Sequence, residues 1–385
     1  MSRVIDEHRL YLQDRSRIDA FARAIDAIVR PGDRVIDLGS GTGVLGLLAC
    51  RAGARLVYAI EATGIIGLAS DVRDASGYHD RMVFVRGHSM SVSLPERADV
   101  IVTDQIGRFG VDGDILLYLD DARRRLLVPG ARSVPASIDL HVAPVECPRM
   151  YERIAFWDTS PAGFDFHPVR HLAVNTVYPA RLRPESLLGA PAAGVHLDLT
   201  TGKRERLSFA IAMPIDRSGL LHGLGGWFSA ELAPGVSMSN SPLDGSRIRR
   251  RQVFLPIDRP VAVARGDLVN VRMRVLPEQS IVAWEVRVDF RAGGFERFRH
   301  STLHGMLVTP ADLDRTRPAF RPSLTRSGVA RQSILNLCDG SRALADIEDE
   351  VYRRHADLFL TRDQAAVFVA EVVTRYTRDA DHDDG

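Results

Sequence analysis

The spacing of apolar residues divides the chain into regions with different predicted structures. Over residues 5–29, apolar side chains recur every three or four positions between charged ones, which predicts an amphipathic helix. Strands are then predicted at 35–37, 57–62, 82–87 and 98–104 and after residue 131, with helical stretches between them. This alternation predicts an α/β fold whose mostly parallel sheet binds ligands at the carboxyl ends of its strands.

From residue 138 onward, short alternating segments are separated by Pro, Gly, Asp or Ser. These segments, which predict an antiparallel sheet or barrel, lie at 138–145, 194–201, 206–214, 225–232, 250–257, 268–275 and 281–290. Residues 150–190 have a weaker strand signal and are rich in aromatic side chains. They fit an arm that packs on another subunit and an insertion that covers the core about equally well.

The last part of the chain predicts a small helical unit. Residues 310–328 are rich in proline and arginine, which is typical of a linker, and at least two amphipathic helices follow. The acidic tail, 378–385, is predicted to be disordered. A small core is predicted from Leu335, Leu337, Leu344, Ile347, Val351, Phe359, Val367, Val369 and Val373.

Composition narrows the functional classes. The 385-residue chain has a formal net charge of +1, so no global field favours nucleic acid or an acidic membrane. Its three cysteines, Cys50, Cys147 and Cys338, are too widely spaced to suggest a disulfide framework or a CxxC metal site. No signal peptide and no apolar run of about 20 residues is evident, so a soluble cytoplasmic protein is expected.

A glycine-rich segment, VIDLGSGTG at 35–43, is the most informative motif. An apolar strand leads into a turn containing Gly39, Gly41 and Gly43, where the absence of Cβ atoms permits a tight turn and a close ligand. Glu61 ends the next predicted strand, where a nucleotide-binding βαβ unit places a carboxylate on ribose hydroxyls.

The charge of Asp37 separates the candidate nucleotides. Gly41, Gly43 and Gly46 also satisfy GxGxxG, so an NAD enzyme is one alternative, and a glycine-rich connection without a ligand is another. Asp37 disfavours a pyrophosphate but suits the ammonium and sulfonium of S-adenosylmethionine, which is therefore preferred. Asp37, Glu61 and Asp104 all fall at predicted strand ends and are expected to converge on one crevice.

Four segments carry a resemblance to a known family. HRLYLQDRSR (8–17), the cofactor motifs within 35–62, the segment 85–107 and WDTSPAGFDF (157–166) resemble the protein arginine methyltransferases, and the likeness covers most of residues 5–310. It implies a Rossmann-like methyltransferase domain joined to a β-barrel that carries a dimerisation arm, and hence a homodimer.

The predicted domains follow from this resemblance and from the pattern. They are a Rossmann-like S-adenosylmethionine-binding domain at 1–135, an antiparallel β-barrel substrate domain at 136–312 with its arm at 150–190, a linker at 313–328, and a small helical or winged-helix domain at 329–378.

The resemblance also implies a cofactor site. Arg17 pairs with the cofactor carboxylate, a task suited to bidentate guanidinium geometry, and His8 lies on the same helix. Asp37 and the turn backbone hold the methionine portion, and Glu61 holds the ribose. The implied set is His8, Arg17, Asp37, Gly39, Gly41, Gly43, Glu61, Ala62, Ser89 and Met90.

The acceptor site departs from the family. Paired glutamates hold the substrate guanidinium there, but the matching positions here are Asp104 and Gly113. The family's Thr-His-Trp segment corresponds to residues 247–249, so Asp14, which matches the aspartate that pairs with that histidine, is expected to find Arg247 or Arg249 instead.

Met90 is the third departure, because it replaces a glutamate that reads the adenine amino group, and weaker cofactor binding is expected. The interpretation favoured for catalysis is that Asp104, helped by Asp112 or Asp114, holds a nitrogen nucleophile and accepts its proton directly or through water. A loop of solvated aspartates is the alternative for Asp112 and Asp114.

The arginine run at 247–251 has two interpretations. It binds a substrate carboxylate or phosphate if it lines the mouth of the site, or it is a solvent-facing part of a barrel strand. The C-terminal helices carry a second resemblance, to the peptide-binding PqqD proteins, which implies that they tether a peptide acceptor; a helical cap without a ligand is the alternative.

Three functions remain open from the sequence. The first is an S-adenosylmethionine-dependent N-methyltransferase acting on a guanidine or related nitrogen of a peptide or small molecule. The second is a natural-product methyltransferase with a rebuilt pocket, and the third is a non-catalytic adaptor that binds a peptide through its C-terminal domain.

Overall fold

The first part of the chain forms a five-stranded parallel sheet covered by helices. The computed structural model describes residues 3–201, 207–276, 281–305, 319–359 and 361–377. The first elements are α1 (Arg3–Gln13), α2 (Arg15–Ile28), β1 (Arg34–Leu38), α3 (Val44–Arg51), β2 (Leu56–Glu61), α4 (Ile66–Ala75), β3 (Met82–Arg86), β4 (Ala98–Thr103), α5 (Ile115–Arg125) and β5 (Leu127–Val134). The strand order is β3-β2-β1-β4-β5, and the predicted Rossmann-like α/β arrangement is confirmed.

The single helix predicted over 5–29 is wrong, because the chain breaks at Asp14 into α1 and α2. Asp14 is the N-cap residue of α2, and its side chain accepts a hydrogen bond from the backbone N–H of Arg17. An aspartate that caps a helix satisfies one of the free N–H groups of the first turn. The apolar periodicity continues across this break, so the pattern alone did not show it.

The second part of the chain forms two antiparallel sheets. Its strands are β6 (Ser137–Val145), β7 (Tyr178–Ala180), β8 (Ala192–Asp198), β9 (Leu207–Pro214), β10 (Gly219–Ala233), β11 (Val236–Ser239), β12 (Gln252–Val263), β13 (Leu268–Leu276), β14 (Ile281–Asp289) and β15 (Phe295–Ser301). One sheet has the order β7-β12-β10-β6-β8 with β11 paired to β10, and the other is β15-β14-β13-β9. The predicted antiparallel architecture is confirmed, but the described strands form two sheets rather than one closed barrel.

Helices dominate the segment that was predicted to be poor in strands. After β6 come α6 (Pro148–Ala155) and α7 (His167–Val174), with short 3₁₀ turns between them. Tyr151 and Ile154 pack with Trp227 and Phe254 of the larger antiparallel sheet. The same segment exposes three phenylalanines, Phe156, Phe164 and Phe166. One side therefore covers the sheet, while aromatic side chains on the segment remain open to solvent.

Three helices close a separate small core near the C-terminus. They are α8 (Arg326–Leu337), α9 (Leu344–Arg354) and α10 (Arg362–Tyr376). Ile334, Leu337, Ile347, Val351, Phe359, Ala365, Val369 and Val372 form this core. The predicted core members Leu335, Leu344 and Val367 are wrong, because their side chains are exposed.

The predicted boundaries of this unit are only partly covered by the structure. α8 begins at Arg326, inside the stretch expected to be a linker. The tail at 378–385 and residues 306–318 lie outside the described residues. None of the helices in the described ranges is both long and apolar enough to span a membrane.

A buried asparagine ties the loop after β4 to the chain entering β12. Asn240 is fully buried, and its Nδ2 donates to the carbonyl oxygens of Arg108 at 2.8 Å and Arg251 at 3.0 Å. Its Oδ1 accepts the backbone N–H of Phe228 at 2.9 Å. One side chain thus joins the parallel-sheet part of the chain to the antiparallel part.

Replacing Asn240 by alanine is expected to lower the free energy of unfolding by about 2 to 4 kcal/mol, because one buried and two partly buried backbone groups lose their partner. Asn270→Ala is the matched control, since among the described residues Nδ2 of Asn270 bonds only to the partly exposed Asp289. Urea unfolding followed by circular dichroism measures both variants. Equal losses for the two asparagines would contradict the assigned role of Asn240.

Candidate active site

The glycine turn after β1 is pressed against two side chains from other elements. Gly39, Gly41 and Gly43 have φ angles of 73°, 53° and 80°, in the left-handed region that other residues rarely adopt. A Cβ atom on Gly39 would lie 2.1 Å from Nε2 of Gln105, and one on Gly41 would lie 2.8 Å from the His8 ring. The turn therefore favours glycine for its conformation, and a side chain there would also displace Gln105 or His8.

Asp37 lies beneath this turn as a buried carboxylate with one unpaired oxygen. Its Oδ2 accepts the backbone N–H of Gly46 at 2.7 Å, whereas Oδ1 has no hydrogen-bond partner among the described residues. The nearby hydroxyl of Ser40 is likewise buried and unpaired. Burial raises the pKa of Asp37 to about 7, with the Gly46 N–H opposing the rise and Glu61 adding to it.

Glu61, at the end of β2, is fastened to the same turn. Its Oε2 accepts the N–H of Gly41 at 2.9 Å, and its Oε1 accepts the N–H of Thr63 at 2.8 Å. Ala62, which follows it, is exposed. The parallel sheet thus brings Asp37 and Glu61 to one edge beside the glycines, as the sequence predicted.

Ser89 and Met90 lie in the turn that follows β3. The carbonyl oxygen of Ser89 accepts a hydrogen bond from Nη2 of Arg125 at 2.8 Å. The N–H of Met90 donates to Nδ1 of His88 at 3.4 Å, and the His88 ring meets the Tyr118 ring edge-on. These bonds hold the turn by its backbone, and the thioether of Met90 offers no hydrogen-bond donor and only a weak acceptor.

Asp104, immediately after β4, is held by two arginines. Its Oδ2 accepts from Nε of Arg17 at 2.6 Å and from Nη2 of Arg250 at 3.0 Å. The side chains of Arg17, Asp104 and Arg250 are only 9%, 9% and 14% exposed. Oδ1 of Asp104 is buried without a hydrogen-bond partner among the described residues. The contact with Arg250 was not predicted from the sequence, although the arginine run itself drew attention.

Residues of the two N-terminal helices, α1 and α2, hold the Arg17 side chain in place. Its guanidinium carbon lies 5.1 Å from the Tyr11 ring centroid and 5.8 Å from that of Phe21, and Nη1 donates to the Tyr11 carbonyl at 3.3 Å. Within the described residues, Nη2 donates to none. A planar guanidinium stacked on aromatic rings keeps a fixed direction. Nη2 is thus available for a ligand.

The side chain of Asp14 contacts the backbone of the arginine run. Oδ2 of Asp14 accepts the backbone N–H of Arg249 at 2.7 Å, so the expected partner residue is found, but its guanidinium is not involved. The guanidinium of Arg247 folds back onto the carbonyl of Asp244, and Ile248 is buried. The sequence could not distinguish a backbone partner from a side-chain partner.

The side chain of Asp112 holds the loop after Asp104 in a closed conformation. Oδ2 and Oδ1 of Asp112 accept the backbone N–H groups of Arg108 and Phe109 at 3.0 and 2.8 Å. Asp114 has a φ of 59° and precedes α5 without capping it through its side chain. Help from Asp112 to Asp104 therefore requires the loop to open, and a catalytic role for either aspartate stays a prediction.

The loop conformation at Gly113 explains why no second carboxylate is present at this position. A Cβ atom on this residue would lie 2.3 Å from the carbonyl oxygen of Gln105. Any side chain at Gly113 is therefore incompatible with the present loop conformation.

Comparisons with known proteins agree with this geometry. Residues 136–294 match the family model of the arginine methyltransferase oligomerization subdomain, and residues 21–109 match that of ribosomal protein L11 methyltransferase. The chain is 30% identical to probable protein arginine N-methyltransferase 6.1 of Oryza sativa subsp. indica, over 64% of this chain and 69% of that protein. The chain belongs to the protein arginine N-methyltransferase family.

Two further likenesses extend over more of the chain. Protein arginine N-methyltransferase 6 of Xenopus laevis is 29% identical over 76% of this chain and 91% of its own length. The Trypanosoma brucei PRMT1 enzyme-prozyme heterotetrameric complex with AdoHcy shares the fold, with a TM-score of 0.69, 22% identity, and coverage of 76% of this chain and 97% of that one. Methyl transfer from S-adenosylmethionine, rather than NAD chemistry, is thereby confirmed as the class of activity.

The residues around the glycine turn fit this cofactor. A buried, unpaired carboxylate oxygen on Asp37 suits an ammonium group, and the unpaired Ser40 hydroxyl offers a further contact. The unused Nη2 of Arg17 suits a carboxylate. No phosphate has to be accommodated, which is consistent with an acidic rather than a basic turn.

Binding of S-adenosylhomocysteine, which keeps the ammonium group, is expected to strengthen about tenfold between pH 6 and pH 8. The ammonium needs an ionised Asp37, and the ionised fraction rises through a pKa of about 7 as pH increases. Calorimetric titration across this range measures the effect. Asp37→Asn should bind weakly with a flat profile, whereas His8→Gln should keep the slope; an unchanged slope in Asp37→Asn contradicts the assignment.

Glu61→Ala is expected to weaken S-adenosylhomocysteine binding at least tenfold, because a buried or partly buried charge-assisted contact to ribose contributes about 1.5 to 3 kcal/mol. Glu96→Ala is a control, since Glu96 pairs with Arg34 and Arg55 at the surface. Thermal unfolding of both variants separates ligand affinity from stability. Full affinity in a folded Glu61→Ala protein excludes the ribose role.

Proposed function

We propose that this methyltransferase transfers the methyl group of S-adenosylmethionine to a guanidino or related nitrogen of a peptide or small molecule held by Asp104. The observation that carries the proposal is Oδ1 of Asp104, which is buried and unpaired directly after β4. A buried oxygen of this kind is stabilised by a hydrogen-bond donor, and an acceptor N–H supplies one.

The cofactor set proposed around the turn is the one that the sequence predicted. Its members are His8, Arg17, Asp37, Gly39, Gly41, Gly43, Glu61, Ala62, Ser89 and Met90. When bound, the cofactor supplies an electrophilic methyl group. Asp37 and Arg17 would hold its charged groups, and Glu61 would hold its ribose.

Asp104 does the positioning on the acceptor side. Its Oδ1 accepts one N–H of the acceptor, and this contact turns the nitrogen lone pair towards the methyl carbon. The new N–C bond forms as the C–S bond breaks, and the bonding pair remains on sulfur. The proton that the nitrogen loses passes to Asp104 or to water.

The acceptor grip is weaker than two glutamates would provide. Gly113 leaves Asp104 as the one carboxylate at the two matching positions, and its Oδ2 is already shared by Arg17 and Arg250. Loss of an orienting charge-assisted contact raises a barrier by about 2 to 4 kcal/mol. Efficient methylation of protein arginine by a two-carboxylate clamp is therefore not the activity proposed.

The C-terminal helices are proposed to tether a peptide acceptor, in line with the PqqD resemblance. They possess their own core and expose apolar side chains at Leu335, Leu344 and Val367. A tethered peptide reaches the active site at a raised effective concentration. This role favours a peptide as one acceptor class.

The protein is also proposed to be a cytoplasmic homodimer that binds neither nucleic acid nor membrane. The matched oligomerization subdomain spans 136–294, and the helical segment within it exposes Phe156, Phe164 and Phe166. Exposed aromatic clusters of this kind mark interfaces. A barrel-like closure of the two antiparallel sheets remains part of the proposal for the substrate domain.

Asp104→Asn is expected to lower the rate of labelled methyl transfer about a hundredfold at saturating cofactor, because the charged acceptor contact is weakened. The exposed Asp80→Asn is the control. Acceptors are guanidino compounds, peptides and cell extracts, with products identified by mass spectrometry. Intact cofactor binding without transfer to any pool contradicts the proposal and favours the adaptor interpretation.

A further inference from the structure

The arginine run brings a guanidinium of this chain to the acceptor side of Asp104. Nη2 of Arg250 donates to Oδ2 of Asp104 at 3.0 Å, and Nη1 donates to the carbonyl of Ile106. The Arg250 side chain is 14% exposed. Other members of the run differ: the side chains of Arg247, Arg249 and Arg251 are exposed. Arg250 is therefore a component of the site, and its neighbours are not.

Arg250 is fixed in this position by the buried asparagine. Asn240 joins the carbonyl of Arg108, two residues after Ile106, to the carbonyl of Arg251, the residue after Arg250. The Nε2 of Gln252 donates in turn to the Asn240 carbonyl. Both backbone segments that meet the guanidinium are thus held together at a buried site, which restricts the freedom of Arg250 to swing away.

The contacts of Arg250 leave most of its donors unused. A guanidinium has five N–H donors, and the described residues accept two of them, on Asp104 and Ile106. The described residues accept none of the remaining three donors, and the side chain as a whole is 14% exposed. A planar array of this kind matches a carboxylate, with which it forms two parallel hydrogen bonds.

Arg17 and Arg250 are assigned to different ligands. Arg17 has an unused Nη2 and is assigned to the carboxylate of the cofactor, so Arg250 remains for the acceptor. Oδ2 of Asp104 is shared by both guanidiniums, and only Oδ1 is free. A third guanidinium cannot take both oxygens of Asp104, and it meets two like charges on approach. An acceptor that brings its own negative charge offsets that repulsion.

We propose that Arg250 is a specificity-determining residue that binds a carboxylate of the methyl acceptor while Oδ1 of Asp104 binds the N–H of its nucleophilic nitrogen. This inference rests on the proposed N-methyl transfer and names its substrate class. The acceptor is a guanidino or amino compound that carries a carboxylate within reach of Arg250. Either a free small molecule or the C-terminus of a peptide supplies that chemistry.

The test compares matched acids and amides as acceptors of a labelled methyl group. One pair is L-arginine and L-argininamide, and the other is a short peptide ending in arginine with a free or an amidated C-terminus. The variants are Arg250→Gln, Arg250→Lys and, as the matched control, Arg251→Gln. S-adenosylhomocysteine titration of each variant checks that the cofactor site is unchanged.

The wild type is expected to prefer the acid of at least one pair by tenfold or more in kcat/KM, mainly through KM. Arg250→Gln should abolish that preference by weakening the acid at least tenfold more than the amide. Arg250→Lys should retain part of the preference, and Arg251→Gln should behave as wild type. The pair that responds shows whether the carboxylate belongs to a small molecule or to a peptide.

Equal kcat/KM for the acid and the amide of both pairs in the wild type overturns the inference. So does an Arg250→Gln variant in which kcat/KM falls equally for acid and amide, or rises for the amide. If none of the four probes is methylated, the labelled product from cell extract is coupled to an amine with carbodiimide. A mass shift that reports a carboxylate supports the inference, and its absence overturns it. Cofactor binding without any labelled product instead refutes the proposed function, and the inference with it.

Discussion

The carboxylate of Asp104, shared between Arg17 and Arg250, is the interaction on which the site depends. Arg17 precedes Asp104 by 87 positions in the chain, and Arg250 follows it by 146. The three residues come from α2, the end of β4 and the segment that enters β12. All three side chains are nearly buried, so the charges cannot be left unpaired without a large cost. This triad therefore fixes how the parallel-sheet part of the chain meets the antiparallel part.

The same interaction distinguishes this chain from a protein that grips an arginine side chain. A free guanidinium forms its strongest pair with both oxygens of a carboxylate, and here one of those oxygens is already occupied. The loop geometry at Gly113 excludes a second acidic side chain. The cofactor half of the site, with Asp37 and Glu61 on the glycine turn, keeps the charges that a cationic methyl donor needs. The methyl donor is that of the family, whereas the proposed acceptor site lacks the paired glutamates that the resemblance implies.

The sequence predicted those features that depend on local periodicity and strand order. Strand ends in a parallel sheet lie at one edge, so the approach of Asp37, Glu61 and Asp104 followed from the pattern alone. Features that depend on long-range packing could not be predicted in this way. The break at Asp14 was hidden by continuous apolar spacing, and the contact between Arg250 and Asp104 links distant segments that no spacing rule connects. Nor does any local pattern around Asn240 predict that it holds those segments together.

The most direct test of the shared carboxylate is a double-mutant cycle on the free energy of unfolding. It uses Asp104→Asn, Arg250→Gln and the combined variant, measured by urea unfolding without ligands. Arg17 remains in every protein, so the cycle isolates the contact with Arg250. A buried, hydrogen-bonded ion pair predicts a coupling energy of about 1 to 3 kcal/mol. Additivity within about 0.3 kcal/mol would show that Arg250 does not bind Asp104 and would contradict the account.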